Sequence, residues 1–305
     1  MKCSRFCQTR PEYITLTSPP WKRKAKRLPS GYSYSPPHYC PRLELTESPE
    51  PKLRFERPIL KVSPSVHHLL SIQTAPRPYH NSLQSLFNSI ELAGLSQWKG
   101  QKFIISDGYK PDAPPLWQVF QTSSNALPLG SAKTFLMLLR KGLELDPFLS
   151  HLTYLQDDII LAKNSLEYIS QIAVPGNLSL ISWFNTDWYK PDFVPPSILG
   201  CRSTNFFIRS QMITMTRPCI EAMLYCPAVT NWNRIDSCDA MPAWALGDIL
   251  YADHYPSLIQ HTEGFNSACN LTLQQHKITS QCKHVGARLS PSFVGEDFDA
   301  LSLFG

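Results

Sequence analysis

Two neighbouring carboxylates, Asp157 and Asp158, follow the apolar run Leu152-Thr153-Tyr154-Leu155 and the amide Gln156, and the apolar pattern resumes at Ile159-Ile160. The stretch reads as a buried strand that runs out into acid. Like charges side by side repel, and each resists leaving water. A divalent cation removes that penalty, and hard carboxylate oxygens suit Mg2+ or Mn2+. A cation held there would in turn hold a diphosphate.

The elements that must position such a pair can be read from periodicity. Val66 to Thr74 is an apolar run that predicts a first buried strand, stopped by Ala75-Pro76-Arg77-Pro78. Ser82 to Ala93 places Leu83, Leu86, Phe87, Ile90 and Leu92 at helical spacing, with Gly94 as C-cap. A second strand over Lys102 to Ser106 ends in Asp107-Gly108, residues 109–128 read as Pro-rich loop, and Ser131 to Leu145 is again helical. The strand ending in the two aspartates comes next. Strand, helix, strand, helix, strand with apolar strands predicts an α/β fold with a mostly parallel sheet flanked by helices. Functional groups in such sheets gather at the carboxyl ends of strands, and those ends carry Thr74 and Arg77, then Asp107, then Asp157 and Asp158. Further on, the pattern predicts a helix from Asn164 to Ile172, a strand from Leu178 to Phe184, strand segments between Asn205 and Met215, and a helix capped by Thr216 with Pro218 in its first turn. Asp239 is placed to cap a helix running to Leu250.

Composition bounds the rest. The 305-residue chain has 43% hydrophobic and 17% charged residues and a formal charge of +5, and 13 of its 29 Lys and Arg residues fall in residues 1–62 against five acids there. That segment also holds ten prolines and the run Trp21-Lys-Arg-Lys-Ala-Lys-Arg27, so it reads as a flexible basic extension. Residues 63–270 form the predicted folded domain and 271–305 a weakly ordered C-terminal tail. The nine cysteines show no C-x-x-C pair and no disulfide framework, which points to reduced thiols in a cytoplasmic setting. Cys269, His276, Cys282 and His284 have no common zinc-finger spacing. Neither a signal peptide nor a run of ~20 apolar residues is visible, so no transmembrane segment is expected.

The order Gln73-Thr74-Ala75-Pro76-Arg77, Ile105-Ser106-Asp107-Gly108, Gln156-Asp157-Asp158, Arg209-Ser210-Gln211 and Pro256-Ser257-Leu258-Ile259-Gln260-His261 resembles the GT-A glycosyltransferases, a Rossmann-like class. Within it, the segment 66–270 is most similar to the N-acetylglucosaminyltransferase-IV-like enzymes and related bacterial glycosyltransferases. The resemblance implies a hexosyl- or N-acetylhexosaminyltransferase that moves a sugar from a nucleotide diphosphate donor, a uridine one, to a saccharide or other hydroxyl acceptor with inversion. One position departs from the family: its usual Glu before the two aspartates is here Gln156, which keeps a hydrogen-bonding side chain and loses a charge.

The resemblance also distributes roles. Asp158 is the metal ligand for Mn2+ or Mg2+, joined by His261, which binds the metal or the β-phosphate. Asp157, Gln156, Thr74 and Asp107 contact the donor's sugar, ribose or base, and Arg77 offers its donor fork to the diphosphate or base. Ser210 and Gln211 line the acceptor cleft, while Trp183, Trp188 and Tyr189 are aromatic surfaces for a sugar ring. Asp239, with Asp236 as its competitor, takes the acceptor hydroxyl's proton as general base. Two other functions fit the same residues. The basic arm allows a transferase acting on a modified nucleic acid base, and Gln156 allows a domain that binds nucleotide sugar without turnover.

Overall fold

The computed structural model describes residues 56–77, 81–122, 128–174, 179–185, 198–203, 210–231, 245, 250–262, 289–290 and 292–304. The first strands and helices are β1 (Glu56–Pro58), β2 (His68–Thr74), α1 (Ser82–Leu92), β3 (Lys102–Ser106), β4 (Gln118–Gln121), α2 (Ser131–Leu145), β5 (His151–Gln156), β6 (Ile159–Leu161) and α3 (Ser165–Ser170). The second half adds β7 (Leu180–Ser182), β8 (Ile198–Ser203), β9 (Met212–Thr216), α4 (Arg217–Tyr225), α5 (Pro227–Thr230), β10 (Leu250–Tyr255), β11 (Ile259–His261) and a 3-10 turn over Ala300–Phe304.

Among the described residues nine strands form one sheet in the order β1-β8-β10-β7-β9-β5-β2-β3-β4. The block β5-β2-β3-β4 is parallel, as is the pair β7/β10, whereas β9 runs antiparallel between β5 and β7. All seven residues of β2 are buried because helices cover both faces of the sheet. On one face Leu70, Ile72 and Leu155 pack with Leu86, Phe87 and Ile90 of α1. On the other, Leu69, Phe103, Leu152 and Tyr154 pack with Phe135, Leu138 and Leu139 of α2 and Ile220 of α4. The α/β class predicted from alternating strands and helices is therefore the observed one.

Local signals in the chain explain the element ends. The Asn81 side chain accepts a hydrogen bond from Gln84 N and caps α1, and Gly94 ends that turn in the left-handed region at φ 88°. Pro218 sits in the first turn of α4, where its missing N–H has no partner to lose.

Three expectations are corrected. Residues 56–62, assigned to the flexible extension, are tied to the body: β1 pairs with β8, and Lys61 bridges to Ile172. Pro58 is tolerated there because β1 is an edge strand. The Pro-rich loop 109–128 contains β4, a short half-buried strand without a full alternating pattern. Described residues 289–304 are docked rather than weakly ordered, since Ala300 and Leu303 are buried and the ring of Phe304 lies 4.6 Å from that of Tyr168. Polar composition hid this docking, which combines backbone hydrogen bonds such as Lys163 N to Glu296 O at 2.8 Å with apolar contacts of Val294, Phe298, Ala300 and Leu303 to the core. No helix among the described residues is long and apolar enough to cross a membrane.

Candidate functional site

The carboxyl ends of β2, β3, β5, β7 and β10, and the start of the reversed strand β9, meet at one edge of the sheet. Thr74, Asp107, Gln156, Asp157, Asp158, Ser210 and Gln211 all belong to that edge. His261 joins them from β11, which among the described residues pairs with β6 and opposes Ile159, the residue after Asp158. Thr262 donates from both its backbone N and Oγ1 to Asp158 O at 3.0 Å, fixing the two chains to one another.

Residues 73 and 74, like 156 and 157, point to opposite sides of the sheet. On the α1 side, Asp157 is the hub. Its Oδ1 accepts from Arg77 Nη2 at 2.6 Å, and its Oδ2 accepts from Thr74 Oγ1 at 2.7 Å and Ser82 Oγ at 3.2 Å. Because that carboxylate only accepts, Thr74 has given its proton to it, so the Thr74 oxygen accepts from Tyr109 OH at 2.8 Å. Burial raises the Tyr109 phenol and keeps that proton in place.

Arg77 Nη2 also donates to Asp158 Oδ2 at 3.0 Å, and the guanidinium is only 7% exposed. Burial opposes its charge, but Asp157 and Asp158 outweigh that and raise its pKa. For Asp158, burial alone would favour the neutral acid, and Arg77 and then His261 overcome it to leave the carboxyl below its usual range. The expected repulsion between the two aspartates is thus met within the chain by one arginine. Asp157, Asp158 and Arg77 taken alone sum to one negative charge, beside Asp158 Oδ1, which is buried and has no hydrogen-bond partner among the described residues. Both ring nitrogens of His261 are likewise buried and unpartnered, and the ring stacks on Phe184 at 5.4 Å and 18°.

Apart from Asp107, the described side chains on the α2 side of the edge are uncharged. Gln73 Nε2 donates to Ser131 O and Oγ, Tyr154 OH donates to Gln73 Oε1, and Gln156 Nε2 donates to Ser210 Oγ at 3.2 Å. Gln156 N donates to Gln211 O, and Gln211 Oε1 is buried without a partner among the described residues. Asp107, expected at the base or ribose, accepts from Thr122 Oγ1, Leu129 N and Gly130 N at 2.8–2.9 Å, which anchors the chain leading into α2. Trp183 is 1% exposed and donates from Nε1 to Thr214 Oγ1, so it is a core residue rather than a sugar platform.

Asp236, Asp239, Trp188, Tyr189, Arg209 and the Cys269–His284 group lie outside the described residues, as does the basic arm 1–55. Ser82 and Tyr109 are site residues that motif reasoning missed. Both are ordinary polar residues in sequence, and only their contact with the Asp157–Thr74 pair marks them.

The residues fit a divalent cation in one specific sense. Asp158 Oδ1 and a His261 ring nitrogen supply oxygen and nitrogen donors without hydrogen-bond partners among the described residues, and Asp157, Asp158 and Arg77 alone sum to −1. No group of three or more His, Cys, Asp or Glu side chains among the described residues is arranged to hold a metal. A cation here would take its remaining ligands from a diphosphate and water, as Mg2+-type sites commonly do.

No family model matches the chain, and no curated protein sequence matches it significantly. Solved structures with a similar chain path are glycosyltransferases. One is a glycosyltransferase involved in glycosylation of the major capsid of PBCV-1, at 10% identity and TM-score 0.35 over 72% of this chain and 96% of that one. Another is the catalytic domain of Drosophila β1,4-galactosyltransferase 7 in complex with xylobiose, at 10% identity and TM-score 0.29 over 51% of this chain and 52% of that one. A third is the mannosyltransferase PcManGT of Pyrobaculum calidifontis in complex with GDP-Man and Mn2+, at 9% identity and TM-score 0.37 over 63% of this chain and 56% of that one. The chain thus spans only about half the length of the last two. The narrower likeness to N-acetylglucosaminyltransferase-IV-like enzymes has no counterpart among these three. Likenesses this distant leave the chemistry to the site's own residues.

Proposed function

We propose that the protein is a glycosyltransferase that moves a hexosyl or N-acetylhexosaminyl group from a nucleotide diphosphate sugar, a uridine one, to an acceptor hydroxyl with inversion, using Mn2+ or Mg2+. The observation that carries this is a set of buried atoms without hydrogen-bond partners among the described residues, Asp158 Oδ1 and the His261 ring nitrogens, beside a carboxylate pair bridged by Arg77. Buried polar atoms are seldom left without partners unless a ligand or water completes them.

When bound, the cation would neutralise charge that grows on the departing nucleotide diphosphate. Arg77, at the pair's other side, holds Asp158 ionised and so fit to ligate. Asp157 fixes Arg77, Thr74 and Ser82 in place, a positioning role that replaces the expected contact with ribose. The uncharged amide row Gln156, Ser210 and Gln211 suits hydroxyl or acetamido groups of a neutral sugar, with Gln211 Oε1 open to a donor. Asp239 is proposed as the general base that deprotonates the acceptor, and Asp236 is the next candidate.

A panel of nucleotide sugars, each with and without Mn2+, tests the proposal by thermal stabilisation and donor hydrolysis. A uridine diphosphate sugar should raise Tm only together with metal, because the described residues offer the cation two ligands and the diphosphate completes the set. Asp158→Ala should abolish that shift. Asp239→Asn should leave donor affinity near normal and lower turnover at least ~100-fold. A metal-independent shift, or none with any donor, overturns the proposal, and binding without hydrolysis or transfer makes the domain a non-catalytic one.

A further inference from the structure

β11 and β6, its one partner among the described residues, are three residues each, and an isolated two-stranded ribbon is marginal in water. On one face the pair is anchored by Ile159, Leu161 and Ile259, which are buried in the core. Its end is tied by the bonds from Thr262 to Asp158 O. Successive side chains on a strand point to opposite faces, so Gln260 projects away from the face on which His261 stacks against Phe184. There it meets Ser290, from the far end of the chain. Gln260 Oε1 accepts from Ser290 N at 2.7 Å, and Gln260 Nε2 donates to Ser290 O at 3.0 Å. The side-chain amide thus matches both backbone groups of one residue, as a neighbouring strand would.

Ser290 is itself buried and fixed. Its Oγ donates to Asn185 O, directly after Phe184. The segment beyond it bonds to the body through Ser257 N to Ser292 O at 3.2 Å, Lys163 N to Glu296 O at 2.8 Å and Ala300 N to Lys163 O at 3.0 Å. Through Asn185 and Gln260, Ser290 therefore touches both walls that enclose the His261 ring.

We propose that Gln260 and Ser290 are positioning residues for the metal site, a clamp by which the C-terminal segment 289–304 sets the placement of His261 against Asp158. This rests on the metal-dependent reading of the site. The clamp acts through His261 and touches neither donor nor cation. Its loss should weaken the cation in the ternary complex, because a ligand misplaced by a fraction of an ångström loses most of its contribution.

The test measures Mn2+ affinity of the full chain by electron paramagnetic resonance at 20 °C, with saturating UDP or GDP, whichever binds the wild type more tightly. Wild type, His261→Ala, Gln260→Met and the milder Gln260→Asn are compared, each checked for folding by circular dichroism. Gln260→Met and Gln260→Asn should raise the Mn2+ Kd at least about tenfold. A merely structural bond would lower Tm and leave the Mn2+ Kd alone, and that result overturns the clamp. If His261→Ala binds Mn2+ like the wild type, or the wild type binds none, the metal reading itself has failed. Hydrogen exchange on the wild type gives a measurement free of substitutions: Mn2+ with nucleotide should slow exchange in the peptides around 259–262 and 289–294 together. Protection of the first without the second also overturns the proposal.

Discussion

The Arg77 guanidinium and the Asp157 carboxylate form an almost fully buried ion pair, 2.6 Å between Nη2 and Oδ1, with side chains 7% and 4% exposed. Breaking such a pair on one side leaves an uncompensated charge in the interior and costs about 3–5 kcal/mol. Arg77→Met should therefore lower unfolding stability by that amount, read from urea midpoints at pH 7. The same change removes the group that keeps Asp158 ionised, so Mn2+ binding should shift to higher pH. Arg77→Lys should recover part of the stability, since a point charge replaces the charge without the fork that reaches Asp157 and Asp158 together. A fully stable Arg77→Met protein would show that the pair is not buried as described.

The two adjacent aspartates should separate cleanly by mutation. Asp157→Asn leaves Arg77, Thr74 and Ser82 competing for one carbonyl oxygen and should cost about 3 kcal/mol of stability. Asp158→Asn gives up one charge-assisted bond, to Arg77, and removes the net negative charge, so stability should change by no more than about 1 kcal/mol. Metal-dependent donor binding should show the opposite pattern and vanish in Asp158→Asn. Differential scanning calorimetry with and without Mn2+ and nucleotide reads both effects. Equal destabilisation by the two substitutions would contradict the division of labour between hub and ligand.

The alternation of apolar strands and helices made the parallel block and its carboxyl edge legible, because a period of two and a period of 3.6 leave different imprints on a sequence. Asp157 and Asp158 could be placed at that edge for the same reason. Their partner could not. Arg77 reads as a surface arginine after a strand, and nothing in spacing alone shows that it turns inward to serve two acids some eighty residues later. Ser290 and Leu303 were illegible for a related cause: a strap that docks through backbone bonds and a few apolar contacts carries no periodic signature. β1 and β4, the two edges of the sheet, escaped because edge strands are short and tolerate proline.

Two buried histidines, His68 and His254, and the half-buried His151 make stability fall on mild acidification. Burial holds His254 down to about 4, against a smaller opposing contribution from its bond to Pro256 O, and burial also lowers His68 and His151. Below the ordinary 6.5 the unfolded chain takes up protons at these sites and the folded chain does not, so unfolding is favoured as pH drops toward 4. For His254 alone the gap corresponds to roughly 3 kcal/mol. Asp158 behaves differently: its lowered carboxyl stays charged in this window, and its contribution is lost only as pH falls through that lowered value. Urea unfolding between pH 7 and 4.5 should show a steady loss of stability of at least a few kcal/mol. A flat profile would mean that these rings take up protons in place.

Gly100 and Gly142 should respond oppositely to the same methyl group. A Cβ on Gly100 would lie 1.9 Å from His68 O and 2.7 Å from its carbonyl carbon, both backbone atoms of the strand beside which β3 starts. Relief would require β3 to move off β2, where Leu70 N bonds Gln101 O at 3.0 Å, so Gly100→Ala should cost more than about 2 kcal/mol. Gly142 lies inside α2, and a Cβ there would meet Leu152 Cδ2 at 3.4 Å and Phe103 Cζ at 3.8 Å, ordinary contact with side chains of the α2-side core. Alanine restricts the unfolded chain and favours the helix by about 0.5–1 kcal/mol, so Gly142→Ala should raise Tm slightly. Thermal unfolding of the two variants side by side checks the close approach of β2 and β3, because a mere difference in helix propensity predicts no penalty at Gly100.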